Sequence, residues 1–253
     1  MTRRRFYAPP DAFAANGKSG SIAGDEARHL RDILRLTRGD EVFVFDGQGM
    51  EYRCVVAEVE RASANFNVIE QVEPASPESP LRLTLAVALL KGEKFDLVVQ
   101  KTTELGVARI VPLKTIRADV RLHDPADGQK RITRWQRIAL EAAKQSGRAF
   151  VPQVATPTEF SLWLQGHESI SQQRIMFSER GGAPLLETIS HWEAKPVTMA
   201  ALVGSEGGWS DEELQQVREI GWQIVTLGGR TLRAETAAIV VTGLLQHLFG
   251  DLK

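Results

Sequence analysis

Two apolar runs in the C-terminal third of the chain each end in a glycine-bearing loop that also carries charge, and no other feature limits the fold as much. The first reads Ala201-Leu202-Val203-Gly204-Ser205-Glu206-Gly207-Gly208-Trp209-Ser210; the second reads Ile224-Val225-Thr226-Leu227-Gly228-Gly229-Arg230-Thr231-Leu232-Arg233-Ala234-Glu235-Thr236-Ala237. A short apolar run stopped by glycine and followed by a helix start is the strand–loop–helix unit of an α/β sheet, whose ligands sit beyond the carboxyl ends of the strands. Further upstream the same alternation holds. Strands are expected at 81–89, 109–113, 173–177, 197–203 and 222–227, and helices at 93–105, 128–146 and 234–249. In the first helix Phe95, Val98, Val99, Thr102 and Leu105 recur at helical spacing and Gly106 stops it. Ser210 and Glu213 have the spacing of a capping box. The pattern predicts a mainly parallel, three-layer α/β domain.

The chemistry of the two loops narrows the ligand. Glu206 stands between Gly204 and Gly207-Gly208, so a carboxylate occupies a turn where a phosphate would need bare N–H groups and a positive field. No G-x-x-x-x-G-K-[ST] loop and no strand-to-helix G-x-G-x-x-G occurs, which removes the usual sequence support for ATP, GTP or NAD. A cationic or zwitterionic cofactor fits better, and S-adenosylmethionine, with its sulfonium and amino groups, is one. Taken singly, either loop also reads as ordinary turn and cap glycines.

Ahead of this domain the segment 73–80, E-P-A-S-P-E-S-P, packs three prolines and two serines without an apolar pattern, which reads as a stiff linker. Residues 1–72 before it suggest a helix at 25–36 and strands at 41–45, 51–58 and 65–71, with Asp46-Gly47-Gln48-Gly49 turning between the first two strands. Three parts follow: a small β domain (1–72), the linker (73–80) and the α/β domain (81–253).

Gly204-Ser205-Glu206-Gly207-Gly208 resembles the G-P-E-G-G loop of the 16S ribosomal RNA uridine N3-methyltransferases, the RsmE family. The stretch Leu227-Gly228 through Leu232-Arg233-Ala234-Glu235-Thr236-Ala237 is similar to its L-G-x-x-I-L-R-x-E-T-A signature. Similar segments run along the chain: H-L-R-D-I-L-R from His29, Lys91 with Lys94, K-T-T-E-L-G-V from Lys101, and E-A-A-K-Q-S-G-R-A-F-V-P from Glu141. The resemblance implies a PUA-like RNA-binding barrel followed by a SPOUT-type α/β domain. General topology rules favour an unknotted sheet, whereas the resemblance implies a C-terminal trefoil knot with the methyl donor held bent in its loops, in a homodimer. It assigns S-adenosylmethionine to Leu202, Gly204, Glu206, Gly207, Gly208, Leu227, Gly228, Leu232 and Thr236. The implied reaction is methyl transfer to N3 of a uridine in the decoding region of the small subunit. Ser205 departs from the family's proline, which is expected to loosen the loop, and Thr231 before Leu232 is a milder variation.

A uridine N3 is a weak nucleophile while it carries its proton, so the site must accept that proton or stabilise the anion. Arg233, permanently charged and placed at a helix start, is the candidate for the electrostatic role. Glu235 could orient Arg233 or act as base, and a first-turn capping role is equally open to it. The RNA candidates are Arg3, Arg4, Arg5, Arg31, Arg35, Lys91, Lys94, Gln145 and Arg148. For Gln145 and Arg148 a base edge and a phosphate compete with closing a helix C-terminus. Phe6 and Tyr7 could stack on unpaired bases or anchor a first strand.

The net charge of −1 speaks against indiscriminate binding to a polyanion, but the average hides clusters. Met1–Arg38 carries eight Lys or Arg against four acids, and Lys114–Arg148 nine against four. Such runs fit directed contact with RNA or, more simply, solvated helix faces. One cysteine, Cys54, excludes an internal disulfide, and without an apolar leader the expected compartment is a reducing cytoplasm. No apolar run approaches membrane-spanning length, and His29, His123, His167, His191 and His247 lack zinc spacing. Two other readings compete: a dimeric RNA-binding protein without catalysis, and a knotted methyltransferase acting on another RNA or on a ribose 2′-oxygen. The intact Gly204, Glu206, Arg233 and Glu235 weigh against the first, and resemblance along nearly the whole chain weighs against the second.

Overall fold

The computed structural model describes residues 3–120, 125–166 and 173–253, which form two compact units. The first contains the chain up to Glu78 together with Leu140–Val151; the second contains Ser79–Ala139 and Pro152–Lys253. Residues 140–151, which the sequence pattern leaves within the α/β domain, therefore pack with the N-terminal unit.

In that unit β1 (Arg5–Tyr7), β2 (Ser19–Ala23), β3 (Glu41–Phe45), β4 (Glu51–Val59) and β5 (Ser63–Val72) form a mixed sheet in the order β1-β3-β4-β5-β2. Only the β1–β3 pairing is parallel. Alternation places Val42, Val44, Cys54, Val56 and Phe66 on the inner face with Ile22 and Phe6. The helix expected at 25–36 is shorter. α1 (Gly24–Arg28) runs into a π-type turn, His29–Ile33, in which the Leu34 N–H reaches back to the His29 carbonyl at 3.0 Å. The cause is the position of the two leucines that must be buried. Leu30 and Leu36 lie six residues apart, on different sides of a straight α-helix, yet both enter the core. The wider turn, and Arg35 with φ 51°, bring them there.

The Pro/Ser segment is not a free spacer but is docked on this unit. The Ala75 N–H donates to Glu51 Oε2 at 3.1 Å and the Ser76 N–H to the Gly147 carbonyl at 2.9 Å. Arg148, itself buried, forks onto Glu78 with an Nη2–Oε2 distance of 2.6 Å.

The second unit carries an all-parallel sheet. Its strands are β6 (Arg82–Ala88), β7 (Arg109–Lys114), β8 (Gln153–Val154), β9 (Thr158–Glu159), β10 (Gln173–Phe177), β11 (Ala183–Pro184), β12 (Thr198–Val203) and β13 (Gln223–Thr226). The order is β11-β13-β10-β12-β6-β7-β8, with β9 on the outer side of β7. Helices α2 (Lys94–Glu104), α3 (Pro125–Ser146), α4 (Phe160–Gln165), α5 (Leu185–Ser190), α6 (Asp211–Glu219) and α7 (Ala234–Phe249) connect them, α3 giving its last turns to the first unit. Strands covered on both faces are apolar without alternation. In β6 and β12 this holds for Leu85–Ala88 and Met199–Val203, all of them buried. Each of the larger side chains among them (Leu85, Val87, Met199, Leu202 and Val203) contributes roughly 1.5–3 kcal/mol relative to exposure. Pro112 lies inside β7, where a proline costs a ladder bond. The register accommodates it: β8 pairs with Arg109 and Ile110, β9 with Leu113 and Lys114, and Pro112 falls in the gap. No described helix is long and apolar enough to cross a membrane.

Candidate active site

The carboxyl ends of β10, β12 and β13, neighbours in the sheet, open into one pocket of about 220 Å³ that the first turns of α7 close. Three loops build it. The loop after β12 turns back on itself through a Gly208 N–H to Ser205 carbonyl bond of 2.9 Å, then enters α6 through a complete Ser210–Glu213 capping box. Buried Glu213 also accepts the Ile116 N–H at 2.9 Å, so the cap anchors the segment after β7 as well. A side chain at Gly204 would meet the Trp209 indole at 3.2 Å, and Trp209 is itself fixed by its Nε1 donating to the Phe177 carbonyl at 2.8 Å. Gly204 is thus favoured by close packing. Gly228 and Gly229 have open space around them but φ of 70° and 72°, a region that L side chains adopt only at a cost.

The sequence-derived cofactor residues divide. Gly204, Gly208, Leu227, Gly228 and Leu232 line the pocket; Leu202, Glu206, Gly207 and Thr236 do not. Leu202 points into the core with Ala86, Met176 and Trp209. Gly207 is held to glycine by the chain after β7, since a side chain there would meet the Arg117 carbonyl at 3.0 Å. Ser205 compensates for the proline it replaces: its hydroxyl donates to the same Arg117 carbonyl at 3.1 Å and tethers the loop.

Glu206 turns away from the pocket and accepts a 2.6 Å bond from Lys94 Nζ. Partial burial pushes its carboxyl up, but the bond from Lys94 and its own backbone N–H outweigh this and hold it below the ordinary carboxylate range. The hydrogen bond to Glu206 correspondingly raises the Lys94 ammonium. The carboxylate that does line the pocket is Glu179, beside Gly208, with Arg230 as its opposite charge. The sequence reading missed Ser178, Glu179, Arg230, Thr231, Ala237 and Val241. A signal was available: Phe177-Ser178-Glu179-Arg180-Gly181-Gly182 is a third apolar run ending in a charged glycine loop.

Arg233 is the N-cap residue of α7, and its side chain is exposed. Glu235, in the first turn, is mostly buried. Its Oε2 has no hydrogen-bond partner, and Lys94 Nζ lies 3.8 Å from it. Arg233 is close enough to oppose the charge on Lys94. One exposed guanidinium, one ammonium and two carboxylates therefore meet at the mouth of the helix.

The RNA candidates also divide. Arg5 is committed to buried Glu51 (Nη2–Oε2 3.0 Å), to the Lys144 and Arg148 carbonyls at 2.9 Å each, and to the face of Phe45. Arg3 shares Glu51 at 3.1 Å, and Arg148 is buried on Glu78. Arg5 and Arg148 are thus engaged within the fold, whereas Arg3 keeps part of its side chain exposed. Arg31 pairs with Asp32, and Lys91 forms an exposed pair with Asp119 at 2.8 Å. Arg4, Arg35 and Gln145 are exposed. Phe6 is buried in the sheet core, which settles its anchoring role. Arg121, His123, Asp124 and His167 lie outside the described residues. Among the described residues no cluster of His, Cys, Asp or Glu is placed to hold a metal ion.

A family model described as an RNA methyltransferase domain matches residues 77–246, and one described as an RNA methyltransferase PUA domain matches residues 22–69. Ribosomal RNA small subunit methyltransferase E of Synechocystis sp. is 33% identical over 248 residues, which cover 98% of this chain and 78% of that protein. The protein of the same name from Bacillus subtilis is 30% identical over 230 residues, 90% of this chain and 89% of its own. Among solved structures, ribosomal RNA small subunit methyltransferase E from Neisseria gonorrhoeae bound to S-adenosyl methionine aligns over 100% of both chains with a TM-score of 0.86 and 32% identity. A Legionella pneumophila methyltransferase in complex with bound SAM gives the same coverage and TM-score at 29% identity. The chain belongs to the ribosomal RNA small subunit methyltransferase E family.

Proposed function

We propose that the chain transfers a methyl group from S-adenosylmethionine to N3 of one uridine in the 16S RNA of the small ribosomal subunit. The observation that carries this is the pocket at the ends of β10, β12 and β13: glycine-built, lacking a phosphate-binding turn, and lined by both Glu179 and Arg230. A zwitterion with a separate positive centre suits that pair. Glu179 would face the cationic groups, Arg230 the carboxylate, and the Leu227–Leu232 loop with Gly204 and Gly208 the remainder. When bound, S-adenosylmethionine supplies an electrophilic sulfonium methyl. This chain's residues prepare the other reactant. Glu235, in the first turn of α7 beside Lys94, takes the N3 proton, and Arg233 offsets the negative charge that spreads onto the neighbouring uracil carbonyl. Lys94 keeps Glu206 out of the pocket and lies beside Glu235.

Three finer features belong to the same reading. A trefoil knot is supported by strand order: β12 lies between β10 and β6, β13 lies outside β10, and α7 then returns to pack on α2, β6 and β12. A PUA-like barrel over 1–72 is supported by the β3-β4-β5-β2 meander and the family match. The methyltransferase part corresponds to Ser79–Ala139 with Pro152–Lys253, residues 140–151 going with the N-terminal unit. A homodimer is supported by Val240 and Leu244 of α7 and Leu97 of the adjoining α2, which stay exposed although α7 is apolar over most of its surface. Calorimetry with S-adenosylmethionine alone tests the pocket, and absence of both heat and thermal shift at several temperatures would remove the cofactor assignment.

A further inference from the structure

In the N-terminal unit the π-type turn His29–Ile33 ends in an exposed apolar tip. Leu30 and Leu36 are buried on either side, and the Leu36 N–H closes the loop onto the Leu30 carbonyl at 3.0 Å. Between these anchors Ile33 is 72% exposed and Leu34 39% exposed. Arg35, which follows, is the one described non-glycine residue with positive φ. The backbone geometry of the turn is set by the burial of Leu30 and Leu36, but the outward pair Ile33 and Leu34 adds nothing to that core, and an exposed apolar tip beside a cavity marks a contact surface.

The surroundings identify the ligand. Leu34 lines a cavity of about 800 Å³ together with Arg4, His29, Glu141, Lys144 and Gln145. Lys144 is engaged by Glu26, but Arg4 is 52% exposed with Asp40 only at 3.9 Å, and Gln145 presents a free-standing amide. Arg35 and Arg38 flank the tip on the exposed surface, and neither makes an ion pair among the described residues. A small apolar surface at Leu34, the His29 ring, an amide and nearby guanidinium groups suit an unstacked nucleotide.

We propose that this cavity binds one unpaired nucleotide of the RNA, separate from the nucleotide that is methylated. Its base rests on Leu34 beside His29, and Gln145 meets its edge. Arg4 and Arg35 face the flanking phosphates, and Ile33 wedges against the next base and keeps the two unstacked. The proposal rests on the reading of the chain as an RNA enzyme, and the test separates the two. Fluorescence anisotropy with the full-length protein compares a short single-stranded RNA of mixed sequence with the same RNA annealed into a duplex, without cofactor. Wild type should prefer the single strand, and the doubly substituted Ile33→Ser, Leu34→Ser protein should lose roughly tenfold in affinity for it. Ile69→Ser, at an apolar site on β5 whose exposure lies between those of Ile33 and Leu34, should lose nothing. Unchanged melting of the double variant guards against misfolding. With small-subunit RNA as substrate the double variant should raise KM and leave kcat within about twofold. An RNA affinity equal to wild type, or equal losses in the Ile69 control, overturns the proposal and leaves the tip as a surface for a protein partner. Failure of wild type to methylate RNA overturns the function reading alone, because the binding arms still decide the cavity.

Discussion

Arg5→Ala and Arg4→Ala, adjacent substitutions of the same kind, are expected to fail in different assays. The Arg5 guanidinium bonds both oxygens of Glu51, whose side chain is fully buried, at 3.0–3.3 Å, and also two main-chain carbonyls. Removing one partner of a buried ion pair costs about 3–5 kcal/mol, because the remaining charge stays in a poor solvent. Arg3 still reaches Glu51, which places the cost near the lower end. For a unit of this size each kcal/mol moves the midpoint by roughly 4–8 °C, so the N-terminal unit should melt at least about 12 °C earlier. Adding Glu51→Gln to Arg5→Met should recover part of the loss by removing the stranded charge. Arg4→Ala should leave the melting curve where it is. It should instead flatten the dependence of RNA affinity on salt by about 0.7–0.9 in the log–log slope, one phosphate contact. Calorimetric melting and a salt series on both variants decide the matter. An Arg5→Ala protein that melts with wild type but shows the flatter slope would refute the structural role given to Glu51.

Gly228→Ala and Gly229→Ala should each weaken S-adenosylmethionine binding by roughly 5- to 30-fold in calorimetry while the fold survives, since each adds roughly 1–2 kcal/mol of left-handed strain to an exposed loop; equal unfolding of both with unchanged affinity would contradict this. Arg233→Ala should keep cofactor affinity within a few-fold and lose roughly 100- to 1,000-fold in turnover, and Arg233→Lys should recover little of it. Glu235→Gln should lower turnover by roughly 100-fold or more without weakening cofactor binding; near-normal turnover would take Glu235 out of proton transfer. The Glu206 carboxyl is held below its ordinary value of 4.5, so whatever its link to Lys94 adds to stability is present above that pH and is lost as acidification carries it through the lower folded value. Lys94→Met should therefore reduce that acid-side dependence, leaving the part due to the backbone N–H of Glu206, followed by melting between neutral pH and pH about 3.

Much of the second unit was legible because its central strands are covered on both faces. β6, β10 and β12 end in apolar runs of three to five residues, and the span of α7 could be read to the residue. The two-residue strands β8, β9 and β11 and the six-residue helices α4 and α5 are too short to display a period. β2, with its Ser-Gly-Ser start, reads as a loop and is a strand only because β5 pairs with it. At the site, glycines were informative because backbone geometry or close approach demands them. Charged residues were not. The position of Glu206 in a loop says nothing of its side-chain direction, which Lys94, 112 residues away, determines. Arg5 and Arg148 looked like phosphate ligands because the carboxylates that bury them, Glu51 and Glu78, lie 46 and 70 residues distant.

The central claim is the identity of the methylated atom. Small subunits lacking the modification, incubated with this protein and S-adenosylmethionine, can be digested to nucleosides and mapped by mass spectrometry. The account predicts 3-methyluridine at a single 16S position, absent when Arg233→Ala replaces wild type. Methylation of a ribose 2′-oxygen, or of a base at any atom other than uridine N3, would contradict it.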